Sequence, residues 1–224
     1  MTDVHVPRLD DHEDETAPAP TTTPSPRGKS VFKVVLEVVL ISTGVFLGLA
    51  GEQWRENARH RELAEASLRR FRSEILTNRK AVAAVIDYHV ATKKSVETYL
   101  AADPKRRQTV EVHLSGLQPV FFDHTAWDLA LATQSLGYID AQLAFALARI
   151  YVVQQEYAGL TSGIMQAMYL RPPTENLEAF FRAVEVYYGD VVLLEPKLLS
   201  MYDDLLPQID RALGESSAKR TPST

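Results

Sequence analysis

The chain has 224 residues, a net charge of −5 and no cysteine. This length allows one or two domains with room for a sizeable core. The absence of cysteine excludes disulfides, thiol catalysis and thiolate metal sites. The mildly acidic balance gives no electrostatic support for binding nucleic acid, which needs a concentrated basic surface, so no nucleic-acid partner is expected.

Both ends of the chain have the composition of disordered segments. Residues 1–30 hold five of the twelve prolines and the acidic run "DDHEDE", with few large apolar side chains. Such a segment cannot bury enough surface to offset the entropy lost on ordering. We therefore predict a disordered tail over residues 1–30, and a second one over residues 214–224, "GESSAKRTPST".

An apolar stretch follows the first tail. Residues 34–51 contain one charge, Glu37. As a helix they would be roughly 27 Å long, close to the ~30 Å hydrocarbon core of a bilayer. We predict a single transmembrane helix over residues 31–53 in contact with the lipid bilayer. The residues expected to anchor it at the interface are Trp54, Arg55 and Arg59.

Two other interpretations of this stretch stay open at the sequence level. A buried core helix of a soluble protein can have the same length and composition. A signal peptide cleaved after Ala50 is also conceivable, because small residues lie at the −3 and −1 positions of that bond. The region before it is long and acidic, whereas signal peptides begin with a short basic one, which argues against cleavage.

One face of the apolar stretch carries the residues that are unusual in lipid. At 100° per residue, Glu37, Gly44 and Gly51 fall within about 40° of each other, and Gly48 lies beside them. The Gly44-x-x-x-Gly48 spacing lets two helices approach closely in a membrane. An ionised carboxylate facing lipid is costly, so Glu37 should be neutral, paired with Lys33 or turned toward protein. We predict that this face contacts a second copy or another membrane helix; incidental glycines with a snorkelling glutamate are the alternative.

The residues after Trp54 predict a long helix, since neither proline nor glycine occurs until Pro104. Apolar residues recur there at alternating three- and four-residue steps, which we call the α1 stripe. Its members are Leu68, Phe71, Ile75, Val82, Val85, Val96 and Tyr99. The polar residues that interrupt it are Asn78, His89 and Thr92. The stripe must pack on later helices of the same chain or on another copy.

The remaining sequence predicts three more helices and completes an all-α fold, with a helical bundle domain over residues 54–213. Residues 102–123 end the long helix and include a short extended piece at 109–114. Thr125 and Asp128 have the spacing of a capping box, and Asp140 can cap the next helix, which Pro172 ends. The last helix runs to about Leu213 and should be bent or broken at Gly189, Pro196 and Pro207.

Two stretches resemble the membrane-anchored helical proteins of a bacterial family of unknown function. The family's N-terminal span matches without a gap at Glu37, Leu40, Gly44, Trp54 and Glu56. Leu36, Gly48 and Gln53 stand where the family has Gly, Ala and Asn. Residues 125–140, "TAWDLALATQSLGYID", resemble the family's Trp-containing helix and following Gly turn. The resemblance implies a single-pass anchor in the bacterial inner membrane with a helical domain, and it supplies no activity or catalytic residue.

No sequence motif points to catalysis. The chain lacks His-Glu-x-x-His, a phosphate-binding Gly-rich loop and Gly-x-Ser-x-Gly. His124 and Asp128 are one helical turn apart, but two ligands are too few for a metal site. We expect His89 to be a hydrogen-bonded core histidine. We predict no enzyme, no cofactor and no metal.

The tyrosines and methionines of the last two helices could line a ligand site, although core packing is favoured because these residues ordinarily fill helical cores. They are Tyr151, Tyr157, Met165, Met168, Tyr169, Tyr187 and Tyr188. The arginine-rich stretch after Trp54 can touch lipid head groups or form ion pairs along the helix, such as Arg61–Glu65.

These features predict a membrane-anchored interaction or scaffold protein that forms a homo-oligomer. The alternative is a helical-bundle sensor that binds a small ligand outside the membrane, for which a ligand between the Trp127 and Tyr151 helices would be evidence. Five arginines follow the span within about 20 residues and three basic residues precede it, so the positive-inside rule favours a cytoplasmic domain.

Overall fold

The computed structural model describes the backbone of residues 27–170 and 176–218, and the side chains of residues 31–170 and 176–214. Most of the predicted tails, at 1–26 and 219–224, and the residues Pro172, Pro173 and Thr174 lie outside these ranges. Within them the regular structure is helical, with no strand, so the all-α prediction is confirmed.

Four α-helices make up the described chain. They are α1 (Arg27–Ala101), α2 (Thr125–Ala132), α3 (Ala141–Leu170) and α4 (Leu177–Ala218), with short 3₁₀ turns at Arg107–Thr109 and Ser135–Tyr138. Helix α1 begins four residues before the predicted span, and α4 extends four residues past Gly214. The chain divides into two units, one ending at Glu52 and one beginning at Gln53.

The first unit presents its apolar side chains outward. Among the described residues, one helix is long and apolar enough to cross a membrane, and none of its apolar window is buried by the rest of the chain. The exposed side chains are Val31, Phe32, Val34, Val35, Leu36, Val38, Val39, Leu40, Ile41, Val45, Phe46, Leu47 and Leu49. A core helix would be covered by the other helices, so that interpretation does not hold here.

The core of the second unit is built on the α1 stripe. Leu68, Phe71, Ile75, Val82, Val96 and Tyr99 are buried, and Val85 packs against them. They belong to one cluster with residues of α3 and α4, as in the contacts of Phe71 with Tyr151 (ring centroids 6.0 Å apart) and of Tyr99 with Phe181 (4.6 Å). The stripe is therefore covered by later helices of the same chain.

Two ion pairs join α1 to α4 at the surface of this unit. Arg72 Nε lies 2.6 Å from Asp210 Oδ1, and Arg79 Nε lies 2.6 Å from Asp203 Oδ1. The hydrogen bond from Arg79 lowers the pKa of the Asp203 carboxyl. Exposed pairs of this kind contribute little stability individually, so the buried stripe dominates the contact between these helices.

The segment between α1 and α2, residues 102–124, is a strap whose backbone is held by side chains of α1. Asn78 donates to the Asp123 carbonyl at 2.8 Å and accepts from its N–H at 2.9 Å. Thr92 donates to the His113 carbonyl at 3.3 Å, and Ser95 Oγ accepts the His113 N–H at 2.9 Å. The polar interruptions of the stripe thus satisfy a loop backbone that lies against the core, as backbone groups shielded from water require.

Two tyrosines extend this set of contacts. The Tyr88 hydroxyl donates to the Gly116 carbonyl at 2.6 Å and accepts the Ser115 N–H at 3.0 Å. The Tyr188 hydroxyl of α4 lies 3.2 Å from the Leu117 carbonyl oxygen. Gly116 has φ of +100°, a conformation that favours glycine. The extended piece predicted at 109–114 contains no strand, and Arg107–Thr109 forms a 3₁₀ turn before the extended Val110.

Of the two predicted helix caps, one is confirmed and one is wrong. Asp140 Oδ1 accepts the N–H groups of Gln142 (2.9 Å) and Leu143 (3.1 Å), which confirms it as the cap of α3. The capping box at Thr125 and Asp128 is wrong, because His124 holds the N-cap position without a side-chain cap. Instead, the carboxylate of Glu74 on α1 accepts a hydrogen bond from the Ala126 N–H in the first turn of α2.

Helix α4 runs without a break from Leu177 to Ala218, so a break at Gly189, Pro196 or Pro207 is wrong, and a bend there stays a prediction. A proline inside a helix costs about 3 kcal/mol or more through its missing N–H and a steric clash. Fully buried side chains flank both prolines and offset this cost, because each buried apolar side chain contributes about 1.5–3 kcal/mol. They are Val191, Leu198, Tyr202, Leu205 and Ile209.

Candidate functional site

The predicted contact face of the span lies on the open surface of the first unit. Glu37, Gly44, Gly48 and Gly51 are all exposed. A Cβ placed on any of the three glycines would meet no atom within 4 Å apart from the adjoining backbone of its own helix. The packing of the described chain therefore does not require glycine at these positions, and the same holds for the other described glycines. Within the described residues, Glu37 forms no ion pair with Lys33.

We predict that Gly44→Leu and Gly48→Leu each weaken self-association of the span in lipid. Leucine would hold the two backbones apart, which should cost about 1 kcal/mol or more, roughly fivefold in dimer affinity. A reporter assay of span dimerisation in a membrane measures this. Ser42→Leu is the matched control, since it adds a leucine about 160° around the helix from Gly44 and about 120° from Gly48. Equal dimer signals for all three variants would contradict a contact through the glycine face.

The predicted interfacial anchors are accessible. Trp54 is 76% exposed, and Arg55 and Arg59 are exposed as well. A tryptophan with an open indole ring and flanking arginines suits the head-group region of a bilayer. Farther along α1, Glu65 forms an ion pair with Arg69 at 3.0 Å.

The second unit contains a cleft of about 530 Å³ between α2 and α3. Trp127 and Tyr151 stack in its wall with ring centroids 4.9 Å apart and planes 28° from parallel. Phe71 packs against both rings. The other apolar side chains of the wall are small: Ala148, Val152 and Ala158. A concave site with aromatic walls is the usual form of a small-molecule pocket.

Polar groups lie at the edge and at the base of this cleft. His124 Nδ1 and Asp128 Oδ2 are 2.7 Å apart, and both side chains are more than half exposed. Gln154 is buried; its amide donates to the Tyr202 hydroxyl at 2.8 Å, and its oxygen has no hydrogen-bond partner in the described structure. The described residues hold no cluster of three potential metal ligands. The side chains of His124, Asp128 and Gln154 can offer hydrogen bonds to an organic ligand in the cleft.

Glu74 connects the cleft wall to the start of α2. Its Oε2 accepts the Ala126 N–H at 2.7 Å, and its Oε1 accepts the Tyr151 hydroxyl at 2.6 Å. Burial raises the pKa of Tyr151, and the hydrogen bond and charge of Glu74 raise it further. Tyr151 therefore stays protonated as the donor that positions its ring against Trp127.

A second buried carboxylate lies deeper in the core. Glu195 Oε1 is 2.6 Å from His89 Nδ1 and 3.0 Å from the Tyr157 hydroxyl, and both Glu195 and His89 are completely buried. Burial raises the pKa of Tyr157, and the charge of Glu195 raises it further. The prediction of a hydrogen-bonded core histidine is confirmed, since His89 Nε2 also faces two carbonyl oxygens of the strap.

Core packing accounts for three of the five tyrosines named in the sequence analysis, and a fourth, Tyr151, is buried but also lines the cleft. Tyr151, Tyr157, Tyr187 and Tyr188 are buried, whereas Tyr169 is exposed. Sequence reasoning did not identify Glu74, Glu195 or Gln154 as core residues. A lone acidic or amide residue in a helix is ordinarily solvated, and its burial here depends on partners far away in the chain.

The chain matches no protein-family model, no curated protein and no solved structure. The resemblance of residues 37–56 and 125–140 to a bacterial membrane-anchored family stays a prediction.

Proposed function

We propose that this protein is a membrane-anchored helical bundle that acts as an interaction or scaffold module and self-associates through its N-terminal span. The observation that carries the proposal is the apolar window of α1, of which nothing is buried by the chain itself. Contiguous exposed apolar surfaces mark sites where a protein meets a membrane or another protein. The length of this surface and its full circumference favour a bilayer as the partner.

The exposed apolar surface of the first unit favours a bilayer over water as its surroundings. Thirteen large apolar side chains between Val31 and Leu49 are each at least half exposed. Burying one such side chain contributes about 1.5–3 kcal/mol, so the set contributes tens of kcal/mol on entering lipid. Insertion into a membrane would remove all thirteen side chains from water.

Self-association, in this proposal, occurs in the membrane. The α1 stripe was the other candidate for contact with a second copy, and it is covered by α3 and α4 within the chain. The face of Glu37, Gly44, Gly48 and Gly51 is left for this role. The resemblance to a bacterial family supports placement in the inner membrane, and the excess of arginines after the span supports a cytoplasmic domain.

We expect the protein to remain in the membrane fraction after high-salt and carbonate washes. Leu40→Arg combined with Leu47→Arg should reduce that retention strongly, because each arginine at the centre of a span costs about 2.5–3.5 kcal/mol. Val186→Arg combined with Leu193→Arg is the matched control, since it changes two exposed apolar residues of α4. Recovery of a soluble product that begins near Gly51 would establish cleavage and overturn the anchor.

A ligand sensor is the second candidate function, and the cleft at Trp127 and Tyr151 favours it. A sensor of an external ligand requires this domain outside the membrane. Protease protection in intact spheroplasts separates the two candidates: digestion of the domain beyond Trp54 from outside favours the sensor, and protection favours the cytoplasmic scaffold.

A further inference from the structure

The cleft between α2 and α3 combines small side chains with two aromatic rings. Ala148, Tyr151, Gln155 and Ala158 recur at steps of three and four residues, which places them on one face of α3. The two alanines leave room beside the Tyr151 ring, against which Trp127 of α2 stacks. The resulting volume of about 530 Å³ lies within the range of roughly 300–1,000 Å³ that is usual for small-molecule pockets.

The aromatic wall favours a flat ligand. Trp127 lines the cleft and is only half-buried, so part of its indole ring is open. Phe71 packs against Trp127 and Tyr151 at centroid distances of 6.4 and 6.0 Å and holds both rings in place. An aromatic ligand can stack on such a ring or meet it edge to face, the two arrangements that aromatic pairs prefer.

A buried amide in the cleft has an acceptor without a donor. Gln154 lines the cleft and is 3% exposed. Its Nε2 donates to the Tyr202 hydroxyl at 2.8 Å, which turns Oε1 away from that hydroxyl, and Oε1 has no hydrogen-bond partner in the described structure. An unpaired buried acceptor is destabilising, and a ligand N–H would remove this cost. The oxygen is shielded from bulk water, so a small rotation of the amide toward the cleft accompanies this contact.

The charges around the cleft disfavour anions. Among the described residues that line it, the one basic side chain is His124, which is paired with Asp128 at 2.7 Å. The buried carboxylate of Glu74 lies behind Tyr151, with Oε1 2.6 Å from the tyrosine hydroxyl. A phosphate or carboxylate would be repelled by both acidic side chains and would find no arginine or lysine among the lining residues.

We propose that the cleft binds a small planar aromatic compound that carries an N–H donor and no negative charge. Trp127 contacts the ring of the ligand, and Gln154 Oε1 accepts its N–H. This cleft is the site of the sensor candidate, on which the proposal therefore rests. The membrane anchor and the contact face of the span are separate from it.

Three fluorinated probes test the donor and the charge separately, by fluorine NMR with the full-length protein in detergent. They are 5-fluoroindole, 5-fluorobenzofuran, which has an oxygen in place of the N–H, and 5-fluoroindole-2-carboxylate. We expect 5-fluoroindole to bind with a dissociation constant of about 1 mM or lower, as a good fragment does. The other two should bind at least about threefold more weakly, the effect of one net hydrogen bond or of like charge. Equal or tighter binding of either would overturn the requirement that it tests.

A substitution at the surface of α3 shows whether the probe is in the cleft. Ala158→Phe fills the cleft from an exposed position and should weaken binding of 5-fluoroindole at least about tenfold. Ala167→Phe is the matched control, since Ala167 is exposed on the same helix outside the cleft, and should leave binding unchanged. Micelles take up the probe equally in both samples, so this uptake cancels in the comparison. Equal binding by the two variants would overturn the site.

Gln154→Leu removes the acceptor and should abolish the preference for 5-fluoroindole over 5-fluorobenzofuran. A preference that persists in this variant would overturn the role of Gln154. Protease protection in spheroplasts keeps this test apart from that of the sensor. Binding of 5-fluoroindole by a protected domain would support the site and contradict an external sensor. A digested domain that binds none of the probes would overturn this ligand class and leave the sensor in place.

Discussion

Replacing Phe71 by alanine should lower the free energy of unfolding of the second unit by about 3–5 kcal/mol. The side chain is completely buried, and its ring packs against those of Trp127 and Tyr151 at centroid distances of 6.4 and 6.0 Å. Alanine would remove these contacts and leave a cavity behind the wall of the cleft. Because single domains of this size are only marginally stable, a loss of this amount is a large part of the total.

Urea unfolding of the full-length protein in detergent measures this effect. Val90→Ala is the control on the same helix, since Val90 is 48% exposed and its truncation should change stability by about 0.5 kcal/mol or less. A loss below about 1 kcal/mol for Phe71→Ala would mean that the site collapses around the smaller residue or that the ring is not packed as described.

Replacing Glu74 by alanine should cost about 2–5 kcal/mol. The substitution leaves two buried donors, the Ala126 N–H and the Tyr151 hydroxyl, without their acceptor. Each unsatisfied buried donor costs about 1–3 kcal/mol. The start of α2 would also lose the negative charge that its N-terminal N–H groups favour.

Glu97→Ala provides the comparison, because Glu97 is on the same helix and pairs with Lys93 at the surface, where such pairs contribute about 0–1 kcal/mol. The double variant Glu74→Ala, Tyr151→Phe should be less destabilised than the sum of the two single variants, since the phenyl ring needs no acceptor. Additive effects would show that the two side chains are not energetically coupled.

The sequence was sufficient to predict the helical face that forms the core. The three- and four-residue spacing from Leu68 to Tyr99 records which side of α1 is buried, because helix periodicity is a local property. The same spacing also identified Asn78, His89 and Thr92 as polar residues on the buried face. Their partners in the strap were not predictable, because these partners are backbone N–H and C=O groups, which almost every amino acid carries.

Predictions from neighbouring residues alone were wrong where contacts with distant parts of the chain determine helix continuity or burial. Pro196 and Pro207 predict an interruption, but buried side chains on both sides of each proline keep α4 helical. The carboxylates in the core were missed for the same reason: Glu74 bonds a backbone group 52 positions away, and Glu195 bonds a ring 106 positions away.

The position of the predicted contact face on the span follows from the helical wheel alone. The structure leaves Glu37, Gly44, Gly48 and Gly51 exposed, together with every other residue of 31–59. Whether they meet a second copy depends on a chain that is not part of this fold, so that contact stays a prediction.

The hydrogen bonds between α1 and the strap imply that the two segments tolerate substitution unequally. Asn78, Tyr88, His89 and Thr92 contribute side chains, whereas the strap contributes N–H and C=O groups at His113, Ser115, Gly116, Leu117, Gln118 and Asp123. Every amino acid carries that carbonyl, and every one except proline carries the N–H. A saturation mutagenesis screen of folding should therefore find His113 and Asp123 permissive, apart from proline, and Asn78 and His89 restrictive.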